Sequence, residues 1–362
     1  MSARGGSIIF QNTMDTMDDS AAKNTSLTFN NEADELPEHP LLFLLYTILS
    51  RYIWIVPVVL GVPGNVLSIL VANRKHNRAL SPCVYMKAMA VADTLELLEH
   101  VLGLTVMYSE PGQNIVHMRD AFYKYHYYLG FVFAMLSGFF LAQMSIDRLI
   151  AVRFPLAAPG LCTTPRAIKT VVITTVLVVI FNLYVPFVVV YYKNPITGAE
   201  ILVFQVPEHI EIEILASLSQ LLLGTVIPFV IILGCNIIII ITVRTASAKR
   251  AKISAGQGQG NRKEETHLTR MLIFVSLAYM VTSIPYRLYY LVMDMPELGD
   301  VYDMNDEYWN LRYLVQVFFV FNLWMFNYAI NFYLYCIGGG AKYRRDAAEV
   351  CKEIVPCCFK CR

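Results

Sequence analysis

Long apolar stretches separated by short polar segments recur along almost the whole chain. A membrane-spanning helix needs about 20 mostly apolar residues, because roughly 30 Å of hydrocarbon is crossed at about 1.5 Å per residue. Seven stretches reach that length, and we call them spans one to seven. They run over residues 46–73, 82–108, 121–152, 168–191, 214–243, 268–293 and 310–337. The pattern therefore predicts an all-α membrane protein folded as a seven-transmembrane helix bundle.

Composition narrows the function classes. Hydrophobic residues make up 56% of the chain and charged residues 16%, whereas about a quarter of a soluble domain is charged. The formal net charge of +1 gives the chain no reason to seek nucleic acid. A nucleophile, base and metal constellation is missing from the sequence, so we expect neither an enzyme nor an organic cofactor.

Charge distribution predicts the orientation in the bilayer. Lysine and arginine are concentrated in the segments after spans one, three, five and seven, and such short basic loops stay cytoplasmic. The segment before span one and the loop between spans six and seven are acidic. We therefore expect an extracellular tail over 1–45, the bundle over 46–337 and a cytoplasmic tail over 338–362, in the plasma membrane. Asn24 begins an Asn-Thr-Ser sequon and is the expected glycosylation site.

The start of the C-terminal tail has helical amphipathicity. From Gly340 to Glu353, apolar and basic residues recur at helical spacing, which predicts a short eighth helix along the inner leaflet. Nearby cysteines are candidates for acylation, although plain reduced thiols fit the sequence equally well. These are Cys351, Cys357, Cys358 and Cys361.

Ionisable residues inside spans two and six are the first functional candidates, because charges in a span are costly. Span two contains Asp93, Glu96, Glu99 and His100, and span six contains Arg287. At 100° per residue Asp93 and His100 share a face, and the two glutamates rotate progressively off it. Either a glutamate–arginine pair holds the bundle together, or these groups line a ligand cavity.

Uncharged polar residues form a second set at mid-depth. Asn65, Ser137, Asn327 and Asn331 must find partners, because buried amides and hydroxyls cost energy when unpaired. With Asp93 they could converge on one cation or water cluster, or each could make a separate interhelical hydrogen bond. Spacing alone does not decide between these alternatives.

Short motifs occur in order, one per span. They are Gly64-Asn65, Ala90-Val91-Ala92-Asp93, Asp147-Arg148 with Pro155-Leu156, Pro228, Pro285, and Asn331 to Tyr335. In this order they resemble a rhodopsin-like G protein-coupled receptor. Within that family, the segment around Ala329 to Gly338 and the Lys342-Tyr343-Arg344 run are similar to invertebrate FMRFamide-type neuropeptide receptors.

The resemblance implies roles at the cytoplasmic mouth. Arg148 would pair with Asp147 and with Glu265 before span six, and opening of this latch would admit a heterotrimeric G protein. Leu156 would pack onto the G protein. Asn331 and Tyr335 would belong to the activation motif of span seven. Another implied site is an allosteric sodium pocket, whose matching residues are Asp93, Ser137, Asn327 and Asn331.

Several departures from the family pattern favour a second hypothesis about the function. Tyr123 stands where the span-three cysteine is expected and residues 191–213 contain no cysteine, so the usual outer disulfide cannot form. Ser283 replaces the aromatic before Pro285, and Phe332 replaces the span-seven proline. The alternative is thus an atypical scaffold or decoy receptor with weak or no G protein signalling. A channel or transporter is disfavoured, because no internal repeat is visible.

Features of the outer half suggest a ligand class. Gly130 occupies the position where amine receptors of the family carry an aspartate, and residues 309–337 lack the lysine that a retinal pigment needs. Residues 191–204 form two β-prone arms around a turn, which predicts a hairpin of the kind found in peptide receptors of the family.

We therefore expect a short basic peptide ligand, because the outer surface is acidic and span two supplies carboxylates. The competing explanation is that the acidic residues of the outer segments only complement the basic inner loops and bind no ligand. The candidate ligand-binding residues are Glu96, Glu99, His100, Tyr127, Tyr286, Arg287 and Tyr290.

Overall fold

The computed structural model describes residues 39–107, 116–193, 200–204, 218–253, 260–293, 307–338 and 340–354. Three of the acylation candidates and the glycosylation candidate lie outside these residues. So do the side chains of Glu265, Tyr290 and Tyr123, although each backbone belongs to a helix.

Seven long helical stretches run through the described residues. Spans one to four are Pro40–Ala72, Ser81–Met107, Val116–Arg153 and Thr164–Phe187. Span five is Leu218–Ala246 in a helix that continues to Ile253, span six is Gly260–Met293, and span seven is Glu307–Ala329 followed by Asn331–Gly338. Short helix Ala158–Leu161 precedes span four, and helix Gly340–Ile354, which we call the amphipathic helix, follows span seven.

Length and hydropathy alone identify only some of these helices as membrane-spanning. Spans one, three, four and five qualify, and the two parts of span seven qualify together. Spans two and six are long enough, at 27 and 34 residues, but they carry the ionisable groups considered above. Polar residues are tolerated in a span where they face the bundle interior, which is where the structure places most of them.

Two local irregularities shape spans one and seven. Span one contains a π-helical turn at Leu49–Ile53, and the amide of Asn322 on span seven donates a 3.0 Å hydrogen bond to the carbonyl of Leu49. Span seven bends by 56° after Ala329. At the π-helical turn of span one, the side chain of Asn322 on span seven thus satisfies a backbone carbonyl that the irregular geometry leaves without a helical partner.

The core lies between spans two and three, and spans four and five present apolar residues outward. Met89, Met135 and Met144 are almost fully buried at the centre of the core. By contrast, Leu177 on span four and Ile241 on span five remain more than half exposed. An apolar exterior around a polar interior is the arrangement expected of helices surrounded by lipid.

A β-hairpin follows span four and confirms the sequence prediction. Strand β1, Val189–Lys193, pairs antiparallel with β2, Glu200–Phe204. The register places Val189 opposite Phe204 and Lys193 opposite Glu200. We call the half of the bundle at the hairpin the outer half, and the half at the amphipathic helix the inner half.

The amphipathic helix is confirmed, and part of its apolar face packs against the bundle. Ala347 and Val350 are buried against Val71 of span one and Phe332 of span seven. Phe332 replaces the proline expected at this position, and its ring provides part of the seat. The apolar face is therefore used for packing within the protein.

Polar contacts fix the same helix to the loop after span one. The carboxylate of buried Asp346 lies 2.8 Å from Nε2 of His76 and accepts a 3.2 Å hydrogen bond from the amide of Asn77. Arg74 forms a 2.9 Å ion pair with Glu353. Because the buried carboxylate has two partners, the helix has a defined orientation on the bundle.

Candidate functional site

A contact between a carboxylate and an imidazole joins spans two and three in the outer half. The carboxylate of Glu99 contacts Nδ1 of His126. Gly103 makes room for this contact, because a Cβ atom there would lie 2.3 Å from Cε1 of the imidazole. Gly130 on span three faces the same carboxylate, with Glu99 oxygens 3.6 Å from the position of a Cβ. His126 was missed by sequence reasoning, since its partner is set by the packing of two helices rather than by spacing along one.

Glu96 is almost fully buried. Its relative exposure is 3%, against 0% for Asp93. Span two packs against spans one, three and seven, and a wide arc of its surface is therefore interior. Oε2 of Glu96 is buried and makes no hydrogen bond to the described residues.

Arg287 on span six is not in contact with Glu96. The two charges interact electrostatically, but no nitrogen–oxygen distance between these two residues is within 4 Å. The guanidinium carbon instead lies 5.5 Å from the ring centre of Tyr286 and 5.4 Å from that of Trp324. The cation of Arg287 is therefore stabilised by aromatic rings and makes no direct salt bridge with Glu96.

Aromatic side chains from three spans pack against one another next to Arg287. Tyr286 and Trp324 stack with ring centres 4.5 Å apart and planes 5° from parallel. The ring of Phe321 lies 4.6 Å from that of His100 and 6.0 Å from that of Tyr286. We call Tyr286, Phe321, Trp324 and His100 the aromatic frame.

Two members of the aromatic frame were not predicted. Phe321 and Trp324, with Tyr328, recur at the i, i+3, i+7 spacing of one helical face, and that signal was present in the sequence. Tyr127 lies on span three, where its ring centre is 6.3 Å from that of Phe131.

The mid-depth polar residues form two groups rather than one. Ser137 donates a 2.5 Å hydrogen bond to Oδ1 of Asp93, and Asn331 donates a 2.8 Å hydrogen bond to Oδ2. Asn327 does not join them through its side chain, whose oxygen instead accepts a 3.4 Å hydrogen bond from Thr282. The predicted convergence thus holds for Asp93, Ser137 and Asn331 only.

Asn65 makes the separate interhelical contact that the sequence left open as an alternative. Its amide donates a 3.1 Å hydrogen bond to the carbonyl of Tyr328. Spans one and seven are therefore joined beside the aspartate cluster rather than through it.

The inner half brings together the acidic and basic residues at the end of span three. Ser81, at the start of span two, donates a 2.9 Å hydrogen bond to Oδ2 of Asp147. The guanidinium of Arg148 lies 3.9 Å from the same oxygen. Asp147 is therefore paired more closely with the serine than with its neighbouring arginine, and Ser81 is a contributor that the sequence did not indicate.

The loop after span three contains a half-buried cysteine and an exposed leucine. The thiol of Cys162 donates to the backbone carbonyl of Asp147 at 3.4 Å, and burial together with the Asp147 carboxylate raises the pKa of Cys162 to about 11. Leu156 is 98% exposed. Together with Phe154, which is 56% exposed, it leaves apolar side chains on this loop that a partner could cover.

Tyr335 and Cys351 also lie near the inner end. Tyr335 is buried, and its ring centre is 5.9 Å from that of Tyr343 on the amphipathic helix. Cys351 is a half-buried free cysteine of the same helix. Tyr335 therefore couples the end of span seven to the amphipathic helix.

Comparison with known proteins matches residues 64–335 to the 7 transmembrane receptor (rhodopsin family). The chain is 28% identical to the cysteinyl leukotriene receptor 1 of Sus scrofa over 64% of its length and 24% identical to the FMRFamide receptor of Drosophila melanogaster over 62%. It is 32% identical to the thyrotropin-releasing hormone receptor of Gallus gallus over 31% of its length. These alignments cover 64%, 42% and 28% of the three relatives, so the chain spans less than two thirds of each.

Proposed function

The chain belongs to the rhodopsin family of seven-transmembrane receptors, and on that premise we propose that it binds a short extracellular peptide and activates a heterotrimeric G protein. Members of this family are receptors and not enzymes. We further propose that it resides in the plasma membrane with its N-terminus outside, as the basic inner segments favour.

The outer polar cluster carries the ligand proposal. Glu96 is almost fully buried and Arg287 is half-buried, the two interact electrostatically without a salt bridge, and Arg287 lies against Tyr286 and Trp324 of the aromatic frame. A structural salt bridge would have closed to hydrogen-bond distance, because a buried charge without a close partner is costly. The arrangement therefore supports a site that completes its contacts with a bound molecule.

A peptide is favoured over a small amine by two observations. Span three offers Gly130 where an amine-binding carboxylate would stand, and the hairpin follows span four at the outer end. The similarity to an FMRFamide receptor and a thyrotropin-releasing hormone receptor supports the same ligand class. The acidic N-terminal tail and the loop between spans six and seven would accelerate encounter with a basic peptide.

G protein coupling is supported by the inner half. Arg148 stands beside Asp147 at the end of span three, and Leu156 is exposed on the next loop. An apolar side chain next to a polar latch provides a contact for a partner that opens the latch.

A library of short peptides, screened in cells with a promiscuous G protein readout, tests this function. We expect at least one basic peptide to stimulate the wild-type receptor and Arg148→Ala to abolish the response at equal surface expression. If ligands bind at the surface but neither wild type nor Arg148→Ala gives a G protein response, the protein is instead the scaffold or decoy receptor that the departures at Ser283 and Phe332 favour.

We also propose that Asp93 and Ser137 hold an allosteric sodium ion. A carboxylate and a hydroxyl are hard oxygen ligands, and Asn331 orients the carboxylate by its hydrogen bond. When bound, the ion would neutralise a buried negative charge between spans two and three. Its removal would leave Asp93 with its two hydrogen bonds alone.

Two modifications complete the proposal. Asn24 is the proposed glycosylation site, which Asn24→Gln and a gel shift after glycosidase treatment would test. Cys351, Cys357, Cys358 and Cys361 are the proposed acylation sites, and palmitate exchange on a variant lacking all four would test them.

A further inference from the structure

A groove with a volume of about 250 Å³ opens between the inner end of span one and the amphipathic helix. Both helices and the start of the loop after span one contribute to its lining, which consists of Leu70, Asn73, Arg74, Val350, Glu353 and Ile354. Val350 is buried, whereas Leu70 and Ile354 are exposed. The groove therefore offers apolar surface on both of its sides.

One cation and one anion stand together in this groove. Nη2 of Arg74 donates a 2.9 Å hydrogen bond to Oε1 of Glu353. The side chain of Glu353 is nevertheless 65% exposed, and Nε of Arg74 has no hydrogen-bond acceptor among the described residues. A guanidinium has several N–H donors and a carboxylate accepts several hydrogen bonds. Both members of the pair can therefore bind a further partner.

The position of the groove along span one indicates which molecules reach it. The helix of span one ends at Ala72, and the exposed basic residues Lys75 and Arg78 follow in the loop. In the proposed orientation, this change from apolar to basic residues marks the inner boundary of the bilayer. Leu70 then lies at the level of the acyl chains and Arg74 at the level of the lipid phosphates. A phospholipid of the inner leaflet is the molecule that has a suitable group at each level.

The charges in the groove select among phospholipid headgroups. A phosphate accepts hydrogen bonds from a guanidinium, and a primary ammonium donates them to a carboxylate. A phosphoethanolamine headgroup has both groups and no net charge, which matches the neutral pair of Arg74 and Glu353. A phosphocholine headgroup has no N–H donor for the carboxylate. A phosphoserine headgroup would place a second carboxylate next to Glu353, where like charges repel.

We propose that this groove binds one inner-leaflet phospholipid with a phosphoethanolamine headgroup. Arg74 donates to its phosphate, Glu353 accepts from its primary ammonium, and Leu70 and Ile354 contact the adjoining part of an acyl chain. The bound lipid joins span one to the amphipathic helix. This inference uses the proposed orientation in the membrane and requires neither the proposed peptide ligand nor the G protein.

Native mass spectrometry of the purified full-length receptor in detergent tests the site. The probes are phosphatidylethanolamine, phosphatidylcholine and phosphatidylserine with identical acyl chains, added at equal concentrations. For wild type we expect binding of phosphatidylethanolamine to be about tenfold tighter than that of either other lipid, which is the order expected of one charge-assisted hydrogen bond.

Glu353→Gln tests the contact with the ammonium. The variant lacks the anionic acceptor, so the preference for phosphatidylethanolamine over phosphatidylcholine should disappear. It also lacks the charge that repels the serine carboxylate, so binding of phosphatidylserine should rise. A general loosening of the helix would weaken the three lipids alike and would not change their order. Glu349→Gln, at an exposed glutamate of the same helix outside the groove, is the matched control and should keep the wild-type preference.

Two further variants test the other parts of the groove. Arg74→Gln should weaken binding of all three lipids, because each contains the phosphate, whereas Arg345→Gln at an exposed arginine of the amphipathic helix should not. Leu70→Trp keeps both charges but fills the groove, so it should also weaken binding. Val66→Trp, one turn away at a comparably exposed position, should bind as wild type does.

Equal binding of the three lipids by wild type would overturn the site, and so would a preference for phosphatidylethanolamine that survives in Glu353→Gln. Glycerophosphoethanolamine, which has the headgroup but no acyl chain, is a separate competitor. If it displaced the lipid at equal concentration, the groove would bind a free headgroup and the lipid proposal would be wrong. None of these measurements involves a peptide or a G protein, so their failure would leave the proposed receptor function standing.

Discussion

Ser81 and Asp147 are joined by a 2.9 Å hydrogen bond that occupies the same carboxylate oxygen toward which Arg148 points from 3.9 Å. The serine begins span two and the aspartate is near the end of span three. Two partners therefore compete for one oxygen. The strength of the Asp147–Arg148 pair depends on a residue of another helix.

Ser81→Ala should strengthen the Asp147–Arg148 pair and lower ligand-independent signalling. The lost hydrogen bond involves a charged acceptor, and such bonds contribute roughly 1.5–3 kcal/mol. If the Asp147–Arg148 pair became more stable by about 1 kcal/mol, basal activity would fall about fivefold. Basal G protein turnover at matched surface expression is the measurement. Ser81→Thr keeps the hydroxyl and should behave as wild type, and higher basal activity in Ser81→Ala would contradict the competition.

Gly338→Ala should force the inner ends of spans six and seven apart. A Cβ at this position would lie 2.4 Å from Cα and 2.9 Å from the backbone nitrogen of Met271, and backbone cannot yield as a flexible side chain does. Such overpacking costs about 1–3 kcal/mol. We expect lower thermal stability together with raised basal signalling.

Gly234→Ala is the matched control for that substitution. No atom of another described residue outside its own helix backbone lies within 4 Å of a Cβ at Gly234 in span five, and alanine favours the helix. Its stability should equal or exceed that of wild type. Equal behaviour of the two alanine variants would show that the contact at Met271 does not hold the inner end closed.

Asp93→Asn should remove the response of the receptor to sodium. We expect the melting temperature of the purified wild-type receptor to be higher in sodium chloride than in choline chloride of equal ionic strength, and the variant to show the same value in both. Asn327→Ala should retain the sodium response, because its side-chain oxygen is engaged by Thr282 rather than Asp93. Sodium-dependent stabilisation that survives in Asp93→Asn would exclude the proposed ion site.

Cys162 should react slowly with alkylating reagents. Burial and the neighbouring Asp147 carboxylate raise its pKa from 9.0 to about 11, and only the thiolate is nucleophilic. At pH 8 its thiolate fraction is therefore roughly 100-fold below that of an ordinary cysteine. The rate of iodoacetamide labelling, followed by mass spectrometry, should keep rising with pH up to about 11. Labelling at the rate of an unstructured cysteine peptide would contradict the buried contact.

Phe332→Ala should release the amphipathic helix from the bundle. The ring packs against Val71, Ala347 and Val350, and truncation of a buried phenylalanine costs about 3–5 kcal/mol. Hydrogen exchange over residues 340–354 should accelerate strongly. Ile337→Ala, at a side chain that is 60% exposed, should leave that exchange unchanged. Loss of protection in both variants alike would point to general destabilisation of span seven.

The apolar periodicity of the sequence predicted the helix bundle but did not locate the ends of every helix. Span four was expected to reach residue 191, yet Val189 already belongs to β1, because an apolar β-branched run suits a helix and a strand equally well. Span one was expected from residue 46 but begins at Pro40, a residue compatible with the first turn of a helix.

The site was predicted residue by residue with unequal success, and the failures share one cause. Asp93, Ser137 and Asn331 were found because buried polar side chains in a span must meet partners. The separation of these three residues from Asn327 depends on how the helices are rotated against one another. The same is true of the contact between Glu99 and His126. A single sequence contains periodicity along each helix but no record of those rotations.

The seat of the amphipathic helix has a consequence for biosynthesis. His76 and Asp346 are 270 residues apart in sequence, so their contact forms only after the last span has been made. Until then His76 lacks its contact with Asp346. The packing of the first part of the bundle is therefore completed only after the last span has been synthesised. Contacts of such high sequence separation slow the completion of folding. Truncation or fusion upstream of Asp346 should therefore be sensed as misfolding at the opposite end of the chain, by the machinery that retains incomplete membrane proteins.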